Sequence, residues 1–384
     1  MLNIIINKSH KGNYTRFEGI MEERKSFIVS KKRILFTGGG TAGHVIVNLA
    51  LIPVFQKEGW EVDYIGSKDG IERRLIEQVP NVDYYPVSTG KLRRYMSMEN
   101  FKDPFKVMKG TMQAWKIIGK RKPNVIFSKG GFVSVPVVLA SKLRRIPSVI
   151  HESDYTPGLA NKLSIPFTNK VLATFSETMQ YLPENKAEYV GAVIRDELFQ
   201  GDKARGLTLC GFTKEKPVLL IMGGSAGAEK INNVVRESLD FLLTEFKIVH
   251  ICGQGKVDST FDRKGYIQFE YVNEELKDIF AITNFVISRA GANAIFEFLA
   301  LHIPMLLIPL SRAASRGDQI VNAESFQEKR YARILEEENL TQETLKQELI
   351  QLKEYAPLMK EQMSEYKSEK SRDRVIEIIK SIAK

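Results

Sequence analysis

The sequence predicts an α/β protein built from two doubly wound halves that face each other across a cleft. Three observations lead there. Residues 32–37 form a short β-branched and aromatic run that breaks into Gly38-Gly39-Gly40-Thr41-Ala42-Gly43 and opens a helix at His44. Far downstream, 217–222 repeats the arrangement, with Gly223-Gly224-Ser225-Ala226-Gly227 as its turn. Between and after these turns, short apolar strands alternate with helical spacing, the order of a parallel sheet covered on both faces. Glycines let backbone N–H groups approach an anion, and the following helix points its positive end at the same spot. Two such turns would give the cleft anion-binding ends on both walls.

The elements follow in order. Residues 45–58 carry helical spacing (Ile46, Leu49, Ala50, Val54, Phe55) and close at Gly59. Strands are expected over 61–66, 84–87, 125–128, 148–151, 171–174 and 188–191, with a helix over 69–79. In the second half, strands are expected over 247–252, 267–272, 285–288 and 305–309. Closing helices are expected over 341–356 and 366–384. Residues 1–31 are polar and without period; they read as an accessory tail, or as an over-extended start with the real one near Met21. The division is then 32–195 for the N-terminal domain, 196–216 for a glycine- and charge-rich passage, 217–360 for the C-terminal domain and 361–384 for a final helix.

Composition narrows the function. At 384 residues, 43% hydrophobic and 27% charged, the chain has the make-up of a soluble globular protein. Its two cysteines, Cys210 and Cys252, lie far apart, which excludes a disulfide framework or a zinc ribbon. The five histidines show no HExxH or HxH pair, and there is no Asp-x-Asp, so no metal site is expected. The run 1–6 is too short for a signal peptide, and no stretch approaches the roughly 20 apolar residues of a membrane span.

A net charge of +10 suits nucleic acid, an anionic membrane or a phosphorylated substrate. The charge concentrates in 91–122, where Lys91, Arg93, Arg94, Lys102, Lys106, Lys109 and Lys116 are interleaved with Phe101, Phe105, Met108 and Trp115. That pattern fits docking on anionic lipid headgroups. An ordinary surface helix packed on the sheet fits it too, and both hold if they fall on different faces. No nucleic-acid module accompanies the charge, so nucleic acid is not expected.

Gly38-x-Gly40-x-x-Gly43 matches dinucleotide spacing. The second strand, however, ends Ile65-Gly66-Ser67, without the acid that holds a ribose hydroxyl, and His44 has no role in cradling NAD. Neither turn leads into a Walker lysine.

Six motifs in order carry a resemblance. They are Gly39-Gly40-Thr41-Ala42-Gly43-His44-Val45, Lys129-Gly130-Gly131-Phe132-Val133-Ser134, His151-Glu152-Ser153-Asp154, Gly223-Gly224-Ser225-Ala226-Gly227-Ala228, Arg289-Ala290-Gly291-Ala292-Asn293-Ala294-Ile295-Phe296-Glu297 and Asp318-Gln319-x-x-Asn322-Ala323. Together they resemble the MurG family, the bacterial UDP-N-acetylglucosamine (UDP-GlcNAc) transferases of peptidoglycan synthesis, in the wording of Gram-positive bacteria of low G+C content.

The resemblance covers residue 32 to the C-terminus. It implies a GT-B fold whose closing helix returns to the N-terminal half. It also implies metal-free, inverting transfer of GlcNAc to the C4 hydroxyl of the muramoyl sugar in lipid I, giving lipid II, by a peripheral enzyme on the cytoplasmic face of the membrane. Cell-wall and division proteins are possible partners on the same ground.

The resemblance also implies roles for residues. Thr41, Ala42 and Gly43 would line the first turn, facing the acceptor diphosphate and the donor sugar. His44 would be the base, held neutral by the helix N-terminus, or would only orient the acceptor. Arg195 and Ser225 would contact UDP phosphate or ribose, Val272 the uracil, and Glu297 the ribose hydroxyls. Gln319, Asp318 and Asn322 would read the GlcNAc hydroxyls, while Arg289, Gly291 and Ala292 would be further substrate-binding residues. His151, Glu152 and Asn161 are either acceptor-side groups or a satisfied supporting network.

The departures are Asp154 where many relatives have Asn, Phe132 for tyrosine, Ala42 for glycine and Ala226 for glutamine; alanine at 42 requires a negative φ. Other UDP-sugar activities, such as a UDP-GlcNAc 2-epimerase or a diacylglycerol glucosyltransferase, fit the fold. The basic apolar stretch and His44 favour a lipid-diphosphate acceptor. A non-catalytic binding protein is the third class, against which stand the intact His44, Glu297 and Gln319.

Overall fold

A computed structural model describes residues 31–90, 98–213, 215–224, 228–313, 315–367 and 370–384. The N-terminal half runs β1 (Arg33–Thr37), α1 (Gly43–Lys57), β2 (Glu61–Ser67), α2 (Ile71–Ile76), β3 (Val82–Val87), α3 (Met98–Arg121), β4 (Val125–Ser128), α4 (Ser134–Leu143), β5 (Ser148–Glu152), α5 (Leu159–Ser164), β6 (Lys170–Ala173) and β7 (Ala187–Tyr189). Its strands are all parallel, in the order β3-β2-β1-β4-β5-β6-β7.

The C-terminal half follows with α6 (Lys203–Cys210), β8 (Val218–Met222), α7 (Glu229–Glu237), α8 (Leu239–Glu245), β9 (Lys247–Ile251), β10 (Tyr266–Phe269), α9 (Leu276–Ile282), β11 (Thr283–Ser288), α10 (Ala292–Ala300), β12 (Met305–Leu307), α11 (Asp318–Glu328), β13 (Ala332–Ile334), α12 (Gln342–Ser364) and α13 (Ser371–Ile382). Here the order is β10-β9-β8-β11-β12-β13, again parallel.

Successive side chains of a strand point to opposite faces, and both faces here are covered. In β1, Ile34 and Phe36 enter one core layer with α1, whereas Leu35 enters the other with Ala114 and Ile118 of α3. The central strands are therefore continuous apolar runs, such as Leu219-Leu220-Ile221 of β8, each fully buried. Asp63, buried in β2, accepts from both Arg33 and Arg121, so the last basic residue of α3 serves the fold.

Three stretches differ from the expectation. The passage 196–216 is folded: it holds a 3₁₀ turn (Asp196–Gln200) and α6, and Leu198, Cys210 and Phe212 are buried in the C-terminal core. Gly206 allows this, since a Cβ there would sit 2.2 Å from the Asp278 carbonyl oxygen. Helix α12 passes through Pro357 and ends at Ser364, because Met359 and Met363 continue its buried stripe beyond the lost hydrogen bond. The final helix is consequently α13 alone. Its Val375, Ile376, Ile378 and Ile379 pack in the N-terminal core with Ile34 and Phe36, so the chain does return to its first half.

Candidate active site

Both glycine turns leave the carboxyl ends of strands at the point where the strand order reverses, between β1 and β4 and between β8 and β11. Ligands bind open α/β sheets at that point. The first turn is close-packed. Gly40 has φ +88°, and a Cβ on Gly131 would lie 2.1 Å from the Gly39 carbonyl oxygen. Ala42 has φ −58°, so alanine fits there without strain.

Two amides of this turn, those of Gly39 and Gly40, are already taken within the N-terminal half. The Gly39 N–H donates to the Gly130 carbonyl at 3.3 Å. The Gly40 N–H donates to Glu72 Oε2 at 3.1 Å. Glu72 is fully buried and also accepts from the Ser67 N–H at 2.9 Å.

A cleft of about 1270 Å³ separates the halves. Thr41, Ala42, Gly43, His44, Glu152 and Lys129 line its N-terminal wall. His44 Nδ1 lies 2.9 Å from the Gly39 carbonyl oxygen and 3.1 Å from Thr41 Oγ1. A carbonyl only accepts, so Nδ1 carries the proton and Nε2 keeps its lone pair. Burial lowers the imidazole pKa to about 4, and the charge of Lys129 adds to this against the Gly39 carbonyl and Glu72. The ring is thus neutral, but the cause is burial and a lysine rather than the helix end expected from the sequence.

Arg195, Val272, Gly291, Ala292, Glu297, Asp318 and Gln319 line the opposite wall, with Gly224 of the second turn. Ser225 and Ala226 lie outside the described residues. Arg195 Nε donates to Glu297 Oε1 at 3.2 Å, and burial raises the Glu297 pKa against the pull of that guanidinium. Gln319 Oε1 accepts from the Leu310 N–H at 3.1 Å, which fixes the orientation of its amide. The N-termini of α10 and α11 open onto the cleft beside Gly291 and Asp318, and neither has a side-chain cap. Their first N–H groups give this wall positive ends for an anion.

Other expected site residues sit elsewhere. Arg289 is buried away from the cleft, bonded to the Ile308 and Pro309 carbonyls and to Glu337. Asn322 is fully buried between the halves. Its Oδ1 accepts from the Tyr155 N–H at 2.9 Å, and its Nδ2 donates to Asp154 Oδ1 at 3.0 Å. Both are therefore removed from substrate contact. Asp154 faces Asn322 across the domain contact.

His151 is buried against Phe127, its pKa held well below the usual range by burial and by Lys129. Asn161 donates to Glu152 Oε2 at 2.8 Å, and Glu152 also accepts from the Asp154 and Gly158 N–H groups. This network is not fully satisfied, since His151 Nδ1 and Asn161 Oδ1 are buried without a hydrogen-bond partner among the described residues, and Glu152 alone of the three reaches the cleft.

Sequence reasoning missed Asn293, which bridges the halves by donating to the Gly43 carbonyl at 2.9 Å and accepting from Ser153 Oγ at 3.3 Å. It missed Glu72 and Lys129 as well. Lys129 carried a signal: a lysine just after the apolar run Val125-Ile126-Phe127 and Ser128, ahead of two glycines.

Helix α3 divides its faces. Ala114 and Ile118 are buried on the sheet side, while Phe105, Met108 and Met112 are 73%, 68% and 62% exposed in one stripe beside Lys106, Lys109 and Lys116. The part of the basic stretch at 91–97 lies outside the described residues. No helix among the described residues is long and apolar enough to cross a membrane.

Two parallel doubly wound domains, with uncapped helix ends and a carboxylate–guanidinium pair on one wall and a neutral imidazole on the other, define a GT-B glycosyltransferase. The chain belongs to glycosyltransferase family 28: residues 34–173 match the family's N-terminal domain and 218–378 its C-terminal domain.

It is 68% identical over 355 residues to the UDP-N-acetylglucosamine–N-acetylmuramyl-(pentapeptide) pyrophosphoryl-undecaprenol N-acetylglucosamine transferase of Oceanobacillus iheyensis, covering 92% of this chain and 99% of that protein. It is 56% identical over 355 residues to the Geobacillus thermodenitrificans protein of the same name, covering 92% and 100%.

Among solved structures, Acinetobacter baumannii MurG superposes with a TM-score of 0.73 at 23% identity, covering 91% of this chain and 99% of that one. A putative UDP-N-acetylglucosamine 2-epimerase from Listeria monocytogenes gives 0.63 at 11%, covering 92% and 97%. At these identities both show the shared fold alone.

Proposed function

We propose that the chain transfers GlcNAc from UDP-GlcNAc to the C4 hydroxyl of the muramoyl sugar in undecaprenyl-diphosphoryl-MurNAc-pentapeptide, with inversion, giving lipid II. The observation that carries this reading is one cleft with His44 on its N-terminal wall and the Arg195–Glu297 pair and two uncapped helix ends on the other. The names of the relatives quoted above support the same donor and acceptor.

In this reading Glu297 accepts from the UDP ribose hydroxyls, Val272 borders the uracil, and Gln319 and Asp318 meet the GlcNAc hydroxyls. The acceptor C4 oxygen attacks the anomeric carbon from the face opposite UDP, and its proton passes to His44 Nε2. The bond from the anomeric carbon to the β-phosphate oxygen breaks, and its electron pair leaves with UDP. The amides of the helix ends and Arg195 take up that charge, without a metal in the site. At a pKa of about 4, His44 is a weak base before the acceptor arrives. An arriving acceptor diphosphate offsets Lys129 and raises it toward the working range.

The enzyme works at the cytoplasmic face of the membrane, docked through the exposed Phe105-Met108-Met112 stripe and its lysines. The test is transfer of radiolabelled GlcNAc to a short-chain lipid I analogue in the presence of EDTA. Product with a β-1,4 linkage is expected; activity abolished by EDTA, or UDP release that ignores the analogue, overturns the reading.

A further inference from the structure

Lys129 is a buried cation in the cleft with no carboxylate of the described residues at ion-pair distance. It follows β4 at the switch point, lines the N-terminal wall and is only 2% exposed. Its ammonium donates to Ser153 Oγ, a neutral hydroxyl. The two nearby carboxylates act on it through space but are engaged elsewhere: Glu152 with the Asp154 and Gly158 N–H groups and Asn161, Asp154 with Asn322. Burying an ammonium without an ion pair is costly, and an anion entering the cleft offsets that cost. Meanwhile the amide of Gly40, which a phosphate would seek, is filled by the Glu72 carboxylate, which itself repels a second anion.

We infer that Lys129, rather than the amides of Gly39 and Gly40, is the group that receives the diphosphate of the lipid-linked acceptor. This rests on the transferase reading above. The ammonium exchanges the Ser153 hydroxyl for a phosphate oxygen. Ser153 also donates to Asn293 of the opposite domain, so acceptor entry is felt at the domain contact. The burial-lowered pKa of about 8 leaves Lys129 mostly charged at neutral pH.

The test uses the full chain with Lys129→Met and Lys129→Arg. Loss of a charge-assisted hydrogen bond raises the acceptor KM of the methionine variant by about 10- to 100-fold, with the UDP-GlcNAc KM within about two-fold of wild type. Arginine restores most of the loss. On an acceptor analogue whose diphosphate is replaced by an uncharged linker, the acceptor KM of the methionine variant equals that of wild type.

In parallel, with UDP saturating the other wall, calorimetry measures inorganic pyrophosphate. Wild type binds it, and the methionine variant binds it at least about ten-fold more weakly. Equal pyrophosphate binding, or an equal penalty on the uncharged analogue, overturns the inference. If the pyrophosphate contrast holds while wild type transfers nothing to lipid I analogue, the transferase reading falls and the lysine site stands.

Discussion

Asn322→Ala removes one buried amide that bonds to both halves of the molecule at once. Two of its hydrogen bonds cross the cleft, from the Tyr155 N–H at 2.9 Å and to Asp154 Oδ1 at 3.0 Å, and the third reaches the Ala290 carbonyl at 3.1 Å within its own half. A neutral bond contributes about 1 kcal/mol and one to a carboxylate about 1.5–3 kcal/mol, so the crossing pair sums to roughly 2.5–4 kcal/mol. Opening the cleft lets water satisfy Tyr155 and Asp154, so that share falls on closure and only about 1 kcal/mol on unfolding. Closure therefore becomes roughly 70- to 900-fold less favourable.

The assay compares initial rates with UDP-GlcNAc and UDP-GalNAc and follows domain separation by small-angle scattering. The KM values for both donors rise together, their ratio stays fixed, and the variant's ensemble is more open. An unchanged ensemble with a relaxed GlcNAc preference would place this side chain on the sugar and refute the reasoning.

Four further outcomes are expected. His44→Ala lowers kcat by about 10²- to 10⁴-fold with small changes in either KM, as loss of a general base does. The wild-type kcat/KM falls as pH drops through about 4, because burial and Lys129 hold the imidazole neutral above that point. A pH–rate series shows this limb, and Lys129→Met moves it upward by removing the second cause. Glu297→Ala raises the UDP-GlcNAc KM by about 10- to 100-fold and leaves the acceptor KM unchanged, read by initial rates and by UDP calorimetry. Arg289→Met strands Glu337 in a mostly buried pair and costs about 3–5 kcal/mol in denaturant unfolding, with donor and acceptor KM unchanged in the folded fraction.

The fold was legible because parallel strands buried on both faces leave a strong local signature. Val125-Ile126-Phe127 and Leu219-Leu220-Ile221 are uninterrupted apolar runs, and each turn after a central strand is marked by glycine. Elements whose identity depends on tertiary contact were not legible. The short edge strand β13 has only three residues, and its Ala332 gains burial only beside β12. Helix α6 looks like a linker until α9 covers Gly206 and Cys210. Pro357 reads as a stop because the packing of Met359 and Met363 that outweighs it lies downstream.

Within the site, residues announced by strand ends and helix starts were found, because the sequence fixes which end of a strand they occupy. His44 reaches the cleft on that logic, and Gly291, Ala292, Glu297 and Gln319, which the family resemblance implied, reach it too. The resemblance also assigned Arg289 and Asn322, which share those motifs but point into the fold.

What no motif could supply was the occupancy of hydrogen-bonding groups. A glycine turn looks like an anion cradle until a carboxylate from another helix, Glu72, is seen to fill it. Helix starts do not distinguish the two walls: α1, α10 and α11 all begin without a side-chain cap and open on the cleft. The walls differ in the side chains beside those starts. The N-terminal wall adds the buried Lys129 ammonium and a neutral imidazole, which in the proposed reaction suit holding an acceptor and removing its proton. The C-terminal wall adds the Arg195–Glu297 pair, which suits the nucleotide and the charge that grows on departing UDP.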